Sequence, residues 1–542
     1  MGILGTAVSG LKAFQRSLET TSHNITNVNT EGYSRQRVEL ATNRASFEGS
    51  GYVGNGVNVA NITRSYDQFV TNQLRSSLST FGETDQFHKL ASQVDNILAD
   101  EATGMAPAIK SFFNAVNDVA SDPASIPARQ VLISEANQVS QQFNTINARF
   151  SEIRTGVNKN LELTVKDINA YASEIADLNK RIITGAGRTS TGQKPNDLLD
   201  QRDVLIAKVS EKVDVAVVDQ ADGSINVFIG KGQPLVLGIS NSSLALAGSE
   251  QDPQKLEVMI NGQNTSQEII GGELYGMLRF QDEVLDSAQL QLGFVATGLA
   301  VELNELHESG FDLNGAAGEK IFSFGATEIQ TKKLGTAAGT VTASFQASVA
   351  NLSASDFQLD YDGTDYTLTR LSDDTKTTIT AGGTANLSGP GFDIATSGMV
   401  AGSSFFLRPT YDAAKNINVV IDDPRKFAAS SSATTIPGDN QVALQLAGLE
   451  NQSVLNSGTA SITDAYGELI AKVGSTTHSA NLAKTAQETL LTQAQASREN
   501  ISGVNLDEEA ANLIKFQNSY QAAAQAISVA SSLFDTLIGA VR

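Results

Sequence analysis

The sequence predicts a multidomain α+β protein: terminal helices forming a coiled coil, a long-helix domain with a small β part, and an inserted β-rich domain. Three observations lead there. Both chain ends carry apolar or small residues in steps of three and four, the spacing of a coiled-coil seam. Middle segments carry stripes of the same period over greater lengths. From about Gly325 the composition shifts to Thr, Ser, Gly and Asp with the period-two alternation of strands. The 542 residues hold material for roughly three to four domains. A formal charge of -21 and a pI of about 4.6 oppose nucleic acid and anionic membranes as partners, and no Lys/Arg cluster breaks that trend. Cysteine is absent, which removes disulfides, thiolate metal sites and thiol nucleophiles. The apolar run Leu292 to Val301 is far short of the ~20 residues of a membrane span, so no membrane insertion is expected. The N-terminus has neither the basic region nor the small-residue cleavage pattern of a signal peptide. Met1 to Thr6 fits a loose myristoylation pattern, but helix periodicity already accounts for those residues.

In chain order, Leu4, Leu11, Leu18 and Ile25 recur every seven residues, with Ala7, Phe14, Thr21 and Val28 completing a seam. Thr30 to Tyr33, with Gly32 third, reads as a type II turn, where glycine tolerates the positive φ. Strands are expected at Arg37 to Leu40 and Val57 to Val59. Thr84 to Ala99 and Ala106 to Ala120 read as short helices, and Pro127 to Ile183 as one helix spanning roughly 85 Å. Two successive steps of four at Ile153, Val157 and Leu161 form a stutter in its stripe. After a linker from Gly185 to Gly192, Asp197, Asp200 and Asp203 sit at the start of another helix, where carboxylates suit free amides and the dipole, so capping is expected. Val213 to Val218 and Ile225 to Ile229 flank a hairpin turn. Leu278, Leu285, Leu292, Leu299 and Leu306 mark a single helix from Glu273 to Glu308. Phe357 to Tyr361 and Tyr366 to Thr369 begin the β-rich part, with Asp362-Gly363 as a hairpin turn. Helix returns from Ile462 to Ile501. In the last segment Leu513, Phe516, Tyr520, Ala523, Ile527, Ala530, Phe534, Leu537 and Val541 form a seam, with Asn505 as its cap. The domains are expected at 1–80 with 503–542, at 81–325 with 438–502 (hairpin elements at about 213–262), and at 326–437.

The chemical inventory is sparse. The histidines, at 23, 88, 307 and 478, have no ligand-like spacing, and His307-Glu308 lacks the second histidine of a zinc-protease motif. No nucleophile elbow or phosphate loop occurs. No catalytic, cofactor or metal residue is expected, and the chain reads as a non-enzyme whose terminal seams require partners.

Particular stretches carry a family likeness. Asn24-Ile25-Thr26-Asn27-Val28-Asn29-Thr30, followed by Gly32-Tyr33-Ser34-Arg35-Gln36, resembles the N-terminal signature of flagellar rod, hook and hook-associated proteins. The Ser34-Arg35-Gln36 ending, Leu198-Leu199-Asp200-Gln201-Arg202-Asp203, Gly271-Gly272-Glu273-Leu274 and His307 to Gly315 are similar to the hook-associated protein 1 family. Glu31 stands where that family commonly has Pro, and both suit the second turn position. The resemblance implies a structural part of the bacterial flagellum at the junction of hook and filament. It also implies an extracellular location, reached by export without a cleaved signal peptide. The implied partners are other copies of the chain, the hook protein, a second junction protein on the filament side, and a cytoplasmic export chaperone on the C-terminal helix. The assembly interface is expected on Leu4, Leu11, Phe14, Leu18 and Ile25 and on Leu513, Phe516, Tyr520, Ile527, Phe534, Leu537 and Val541. Asn29, Gly32, Tyr33, Ser34, Arg35 and Gln36 form the family turn motif. The alternatives are another axial protein (hook, rod or second junction protein) and a filament-borne glycan-binding or glycan-active module.

Overall fold

The computed structural model describes residues 3–47, 49, 51–100, 104–187, 193–325, 328–381 and 383–541, with only the backbone of Ala186 and Val541. The first helix, α1 (Ile3–Thr26), leads through a turn to the antiparallel strands Gln36–Thr42 and Val57–Arg64. A small hairpin, Ser46–Phe47 with Tyr52–Val53, caps their far end. α2 (Gln68–Leu98) begins at Gln68 instead of the expected Thr84, because Asp67 caps it by accepting from the Val70 amide at 3.1 Å. It therefore runs unbroken through residue 80, where the sequence reading placed a domain edge. α3 (Met105–Ser121) and α4 (Ile126–Gly187) follow; α4 has 62 residues, a length of about 93 Å at 1.5 Å per residue. Its stripe is buried through the stutter, at Phe143, Phe150, Val157, Leu161, Ile168 and Ile175. Of the expected linker, 188–192 lie outside the described residues.

After α5 (Asn196–Lys212), the strands Val215–Asp219, Ile225–Ile229, Gln233–Leu237 and Ser240–Asn241 form one antiparallel sheet, and Leu244–Gly248, Leu256–Ile260 and Gln263–Asn264 a second. Asparagines of α4 satisfy their edges: Asn169 exchanges two 2.8 Å hydrogen bonds with the Leu244 backbone, and Asn179 donates to the Ile225 carbonyl at 2.9 Å. The expected single helix from Glu273 is instead α6 (Gly272–Phe280), a π-helical turn at Gln281–Asp286, and α7 (Ser287–Glu308). The wide turn lets Asp286 reach Arg154 and Glu283 reach Arg279 while Leu285 stays buried.

The β insertion has a five-stranded antiparallel sheet in the spatial order Gln330–Leu334, Ser403–Arg408, Phe357–Tyr361, Asp365–Arg370, Thr375–Thr380, and a three-stranded sheet of Thr340–Phe345, Phe392–Ser397 and Ala385–Ser388. Asp362 makes the expected hairpin turn, its Oδ1 accepting from the Thr364 and Asp365 amides, each at 2.8 Å. A short helix, α8 (Ala413–Asn416), precedes the neck, where Phe322–Ser323 pairs with Asn418–Val419. His307 fastens that neck. Its Nδ1–H donates to the Glu319 carbonyl and its Nε2 accepts from the Ala428 amide at 2.7 Å, and burial pushes its pKa down to about 4. Among the described residues no group of three or more His, Cys, Asp or Glu side chains could hold a metal ion.

α9 (Gln441–Gly448) is followed by α10 (Ile462–Ser502), begun by a reciprocal Ser461–Asp464 capping box. α10 packs along α2, and the last helix, α11 (Leu506–Val541), along α1. One continuous core runs from Phe87 to Ala480 and includes the β insertion; no described residue of α1 or α11 belongs to it. Two stretches are, contrary to the sequence reading, long and apolar enough to cross a membrane by length and composition. Gly272–Glu308 is mostly buried as a core helix, whereas the window within Ile462–Ala540 is uncovered. Both pass because Ala raises the mean hydropathy between the larger apolar residues and few charges interrupt them.

Candidate assembly interface and its anchor

The turn after α1 anchors the chain ends to the body. Gly32 has φ +76°, and the Tyr33 amide donates to the Thr30 carbonyl at 3.2 Å. A Cβ at Gly32 would stand 2.0 Å from Val204 Cγ2 of α5, so glycine serves both the turn and the close packing. Asn29 is an exposed residue of the same turn. Asn24 is almost fully buried, and its amide is saturated. Its Nδ2 donates to the Gln36 carbonyl and to Glu509, both at 2.9 Å; its Oδ1 accepts from the Tyr33 hydroxyl at 2.7 Å and the Gln36 amide at 2.9 Å. Burial, then Asp197 and Asp200, pushes the Tyr33 hydroxyl far above its ordinary pKa, so it remains a donor. Arg35 grips both acids at the start of α11, Glu508 at 2.7 Å and the buried Glu509 at 2.8 Å.

A second set of bonds reaches α5. The Ser34 amide donates to Asp200 and the Gln36 side chain to Asp197, each at 3.0 Å. Arg64 bridges Asp200 at 2.9 Å and Asp203 at 2.6 Å, and Arg75 takes the other oxygen of Asp203 at 2.7 Å. Burial opposes the charge on Arg64, but Asp203 and Asp200 outweigh it and raise its pKa. The capping role expected for these aspartates is therefore corrected: Pro195 occupies the cap position of α5 without a side-chain bond, and the acids hold the incoming chain. Arg64 and Arg75 had no marked role in the sequence, because a helix-start carboxylate looks the same whether its donor is local or distant; Asn24 stood out only as part of the family likeness.

Beyond the anchor, α1 and α11 run antiparallel as a pair. Their contact differs from the expected stripe-on-stripe seam. α1 buries Ala13, Ser17, Thr20, Thr21 and Asn24, a face of small residues whose hydroxyls return to the helix, Ser17 to the Ala13 carbonyl at 3.0 Å and Thr20 to that of Arg16 at 2.9 Å. Leu11, Phe14, Leu18 and Ile25 are half-buried and Leu4 is 50 % exposed. On α11, Leu513, Phe516, Tyr520 and Ile527 are half-buried, whereas Phe534 and Leu537 are each 65 % exposed. The reason is length: α11 has 36 residues against 24 in α1, so its last turns pass the start of its partner. The side chain of Val541 lies outside the described residues.

Chain ends joined in one coil, on a long-helix body that carries a β insertion, define the class of flagellar axial proteins. The matches at the two ends agree: residues 4–33 fit the family "Flagella basal body rod protein" and 495–540 fit "Flagellar basal body rod FlgEFG protein C-terminal". Residues 91–322 match "Flagellar hook-associated protein FlgK helical domain", and 330–409 match "Flagellar hook-associated protein 1, D2-like domain". Flagellar hook-associated protein 1 of Escherichia coli (strain K12) is 34 % identical over 99 % of both chains; that of Bacillus subtilis (strain 168) is 27 % identical over 99 % of this chain and 97 % of its own. The flagellar hook junction protein of Burkholderia pseudomallei has the same fold, with a TM-score of 0.71 at 24 % identity over 80 % of this chain and 100 % of its own. The chain belongs to the flagellar hook-associated protein 1 family.

Proposed function

We propose that this chain is a structural component of the bacterial flagellum that forms the junction between hook and filament. Full-length similarity to hook-associated protein 1 supports this over another axial protein, and no specific observation favours the glycan-directed reading. The observation that carries the mechanism is the incompletely covered terminal coil: Leu4, Phe534 and Leu537 are exposed at its end, while Leu11, Phe14, Leu18, Ile25, Leu513, Phe516, Tyr520 and Ile527 are only half-covered. Further copies of the chain bury these residues, with the hook protein on one side and the second junction protein on the other. Before export a cytoplasmic chaperone covers α11, and the chain leaves the cell without signal-peptide cleavage. Its contribution is structural, with no catalytic step. Electron microscopy of cells lacking the protein tests the assignment. Hooks without filaments are expected, with filaments restored by the wild-type gene; intact filaments in the deletion strain refute the junction role.

A further inference from the structure

One end of the terminal coil leaves two unlike apolar surfaces uncovered on the same chain. The first is the overhang of α11. Leu533, Phe534, Leu537 and Ile538, each between 46 and 65 % exposed, fall within about 140° of the helix circumference. Asp535, the sole charged residue after Lys515 in the described part of the helix, projects from the other side. With 36 residues in α11 and 24 in α1, the overhang forms an apolar ridge about 18 Å long. The second surface is a groove of about 740 Å³ between α1 and the strands Gln36–Thr42 and Val57–Arg64. Leu4, Val8 and Ala13 line its helical side and Val57 and Val59 its strand side, while Lys12 and the Arg16–Glu19 ion pair stand exposed on the rim. Its helical side, Leu4 to Glu19, is about 22 Å long. The two sides are fixed to each other: the Val57 amide donates to the Ser9 hydroxyl at 3.1 Å, and a Cβ on Gly56 would stand 2.1 Å from that oxygen. Just beyond these strands, the hairpin holds Phe47 and Tyr52 edge to face at 5.5 Å, 65 and 79 % exposed.

We propose that the α11 overhang of one copy lies in the groove between α1 and the strands of a second copy, with Phe47 and Tyr52 of the receiving copy at its mouth. The ridge is shorter than the groove, so it fits along the helical side. Its apolar face meets the apolar sides of the groove, and Asp535 on the opposite side stays in water, so no charge is buried. The groove cannot be meant for the chain's own α11: no described residue of that helix lines it, and the last turns of α11 run past the start of α1. Because its sides are already fixed, the groove needs little reordering to accept a helix. Ridge and groove are different patches of one chain, so the contact is head-to-tail and repeats from copy to copy in a ring or helix instead of closing a two-fold dimer. The proposal rests on the junction reading, which supplies the neighbouring copies, and adds to it which surface of one copy meets which surface of the next.

The absence of cysteine makes a direct test available. Two full-length variants, Asn58→Cys on the exposed lip of the groove and Leu537→Cys on the ridge, one of them tagged, are produced together in cells lacking the protein and treated with a mild oxidant. Each chain then holds a single thiol, so any disulfide joins two copies. The mixed disulfide is expected, at least about tenfold more abundant than when Gln521→Cys, exposed in the middle of α11, replaces Leu537→Cys. The same pair mixed as purified, concentrated chains gives a readout even where a variant builds no filaments. Filaments without the mixed disulfide overturn the groove and leave the junction reading standing, whereas intact filaments in the deletion strain refute that reading itself. Disulfides only between two Leu537→Cys chains mean that the overhangs meet tip to tip, and they overturn the proposal, as does absence of the mixed disulfide both in cells and in the purified mixture.

Discussion

Asn24 shows how much one polar side chain can hold at a chain end. Its four hydrogen bonds join the end of α1 to the turn, to the following strand and to the start of α11. In Asn24→Ala the Gln36 amide loses its side-chain acceptor, the buried Glu509 carboxylate loses a donor, and the half-buried Tyr33 hydroxyl keeps only His23, so the terminal unit should lose about 2–3 kcal/mol. Denaturant melting read out by protease cleavage within α1 measures that, and an unchanged midpoint contradicts the role given to Asn24. His307 makes a prediction about pH. Its pKa is lowered to about 4 in the folded chain by burial, against an ordinary value near 6.5 when unfolded. Between those values the unfolded state binds the extra proton, so stability rises with pH across that window and falls as pH drops through it. The geometry gives the same sign, since a second proton would sit on Nε2 against the Ala428 N–H. The stability advantage of wild type over His307→Gln should therefore grow by about 3 kcal/mol from pH 4 to pH 6.5 and then level off. Melting curves across that range that stay parallel count against a neutral buried imidazole.

At the scale of the element, two pairs of α11 residues that look equivalent in sequence differ in surroundings. Phe534 and Leu537 lie past the start of α1, whereas Leu513 and Phe516 lie beside it and are half-covered. The double change Phe534→Asp with Leu537→Asp should leave the melting of the free chain unaltered and abolish filament attachment. Leu513→Asp with Phe516→Asp should lower both, since charge then enters the intramolecular contact. Equal melting losses from the two pairs would contradict the overhang. Heptad spacing made the existence and length of α4, α10 and α11 legible, because the large apolar residues of α4 and α10 fall where the core lies, and those of α11 keep the same spacing outside it. The buried face of α1 was only partly legible in that way: Thr21 belongs to the seven-residue seam, but Ala13, Ser17 and Thr20 are small buried residues that a search for leucines passes over. The π-helical turn at Gln281–Asp286 left no mark either, since Leu278, Leu285 and Leu292 keep their seven-residue spacing across it. Both family motifs, the turn at Gly32 to Gln36 and the Leu198 to Asp203 run, were visible separately; that Asp200 accepts from Ser34 is a tertiary fact that neither spacing contains.

For the whole molecule, the partition of the core predicts the order in which the chain opens. The continuous hydrophobic cluster ends at Ala480 and takes in the β insertion, so body and insertion share buried apolar surface. The chain ends are held differently, by a small-residue contact and by the polar anchor of Arg35, Arg64, Arg75 and the acids of α5 and α11. Units with few buried apolar contacts open well below the global unfolding free energy. In hydrogen exchange of the dilute monomer, amides of α1 and α11 should exchange at least about tenfold faster than those of α4 and α7, with the step falling at the Ser502 to Asn505 break. Raising salt should widen the gap, because the ion pair of Arg35 with the exposed Glu508 is screened while apolar burial is not. In assembled junctions the same amides should become as slow as the body, since neighbouring copies then cover the half-exposed stripes. Terminal helices already as protected as α7 in the free monomer would mean that the ends are stable alone, and that assembly does not complete their fold.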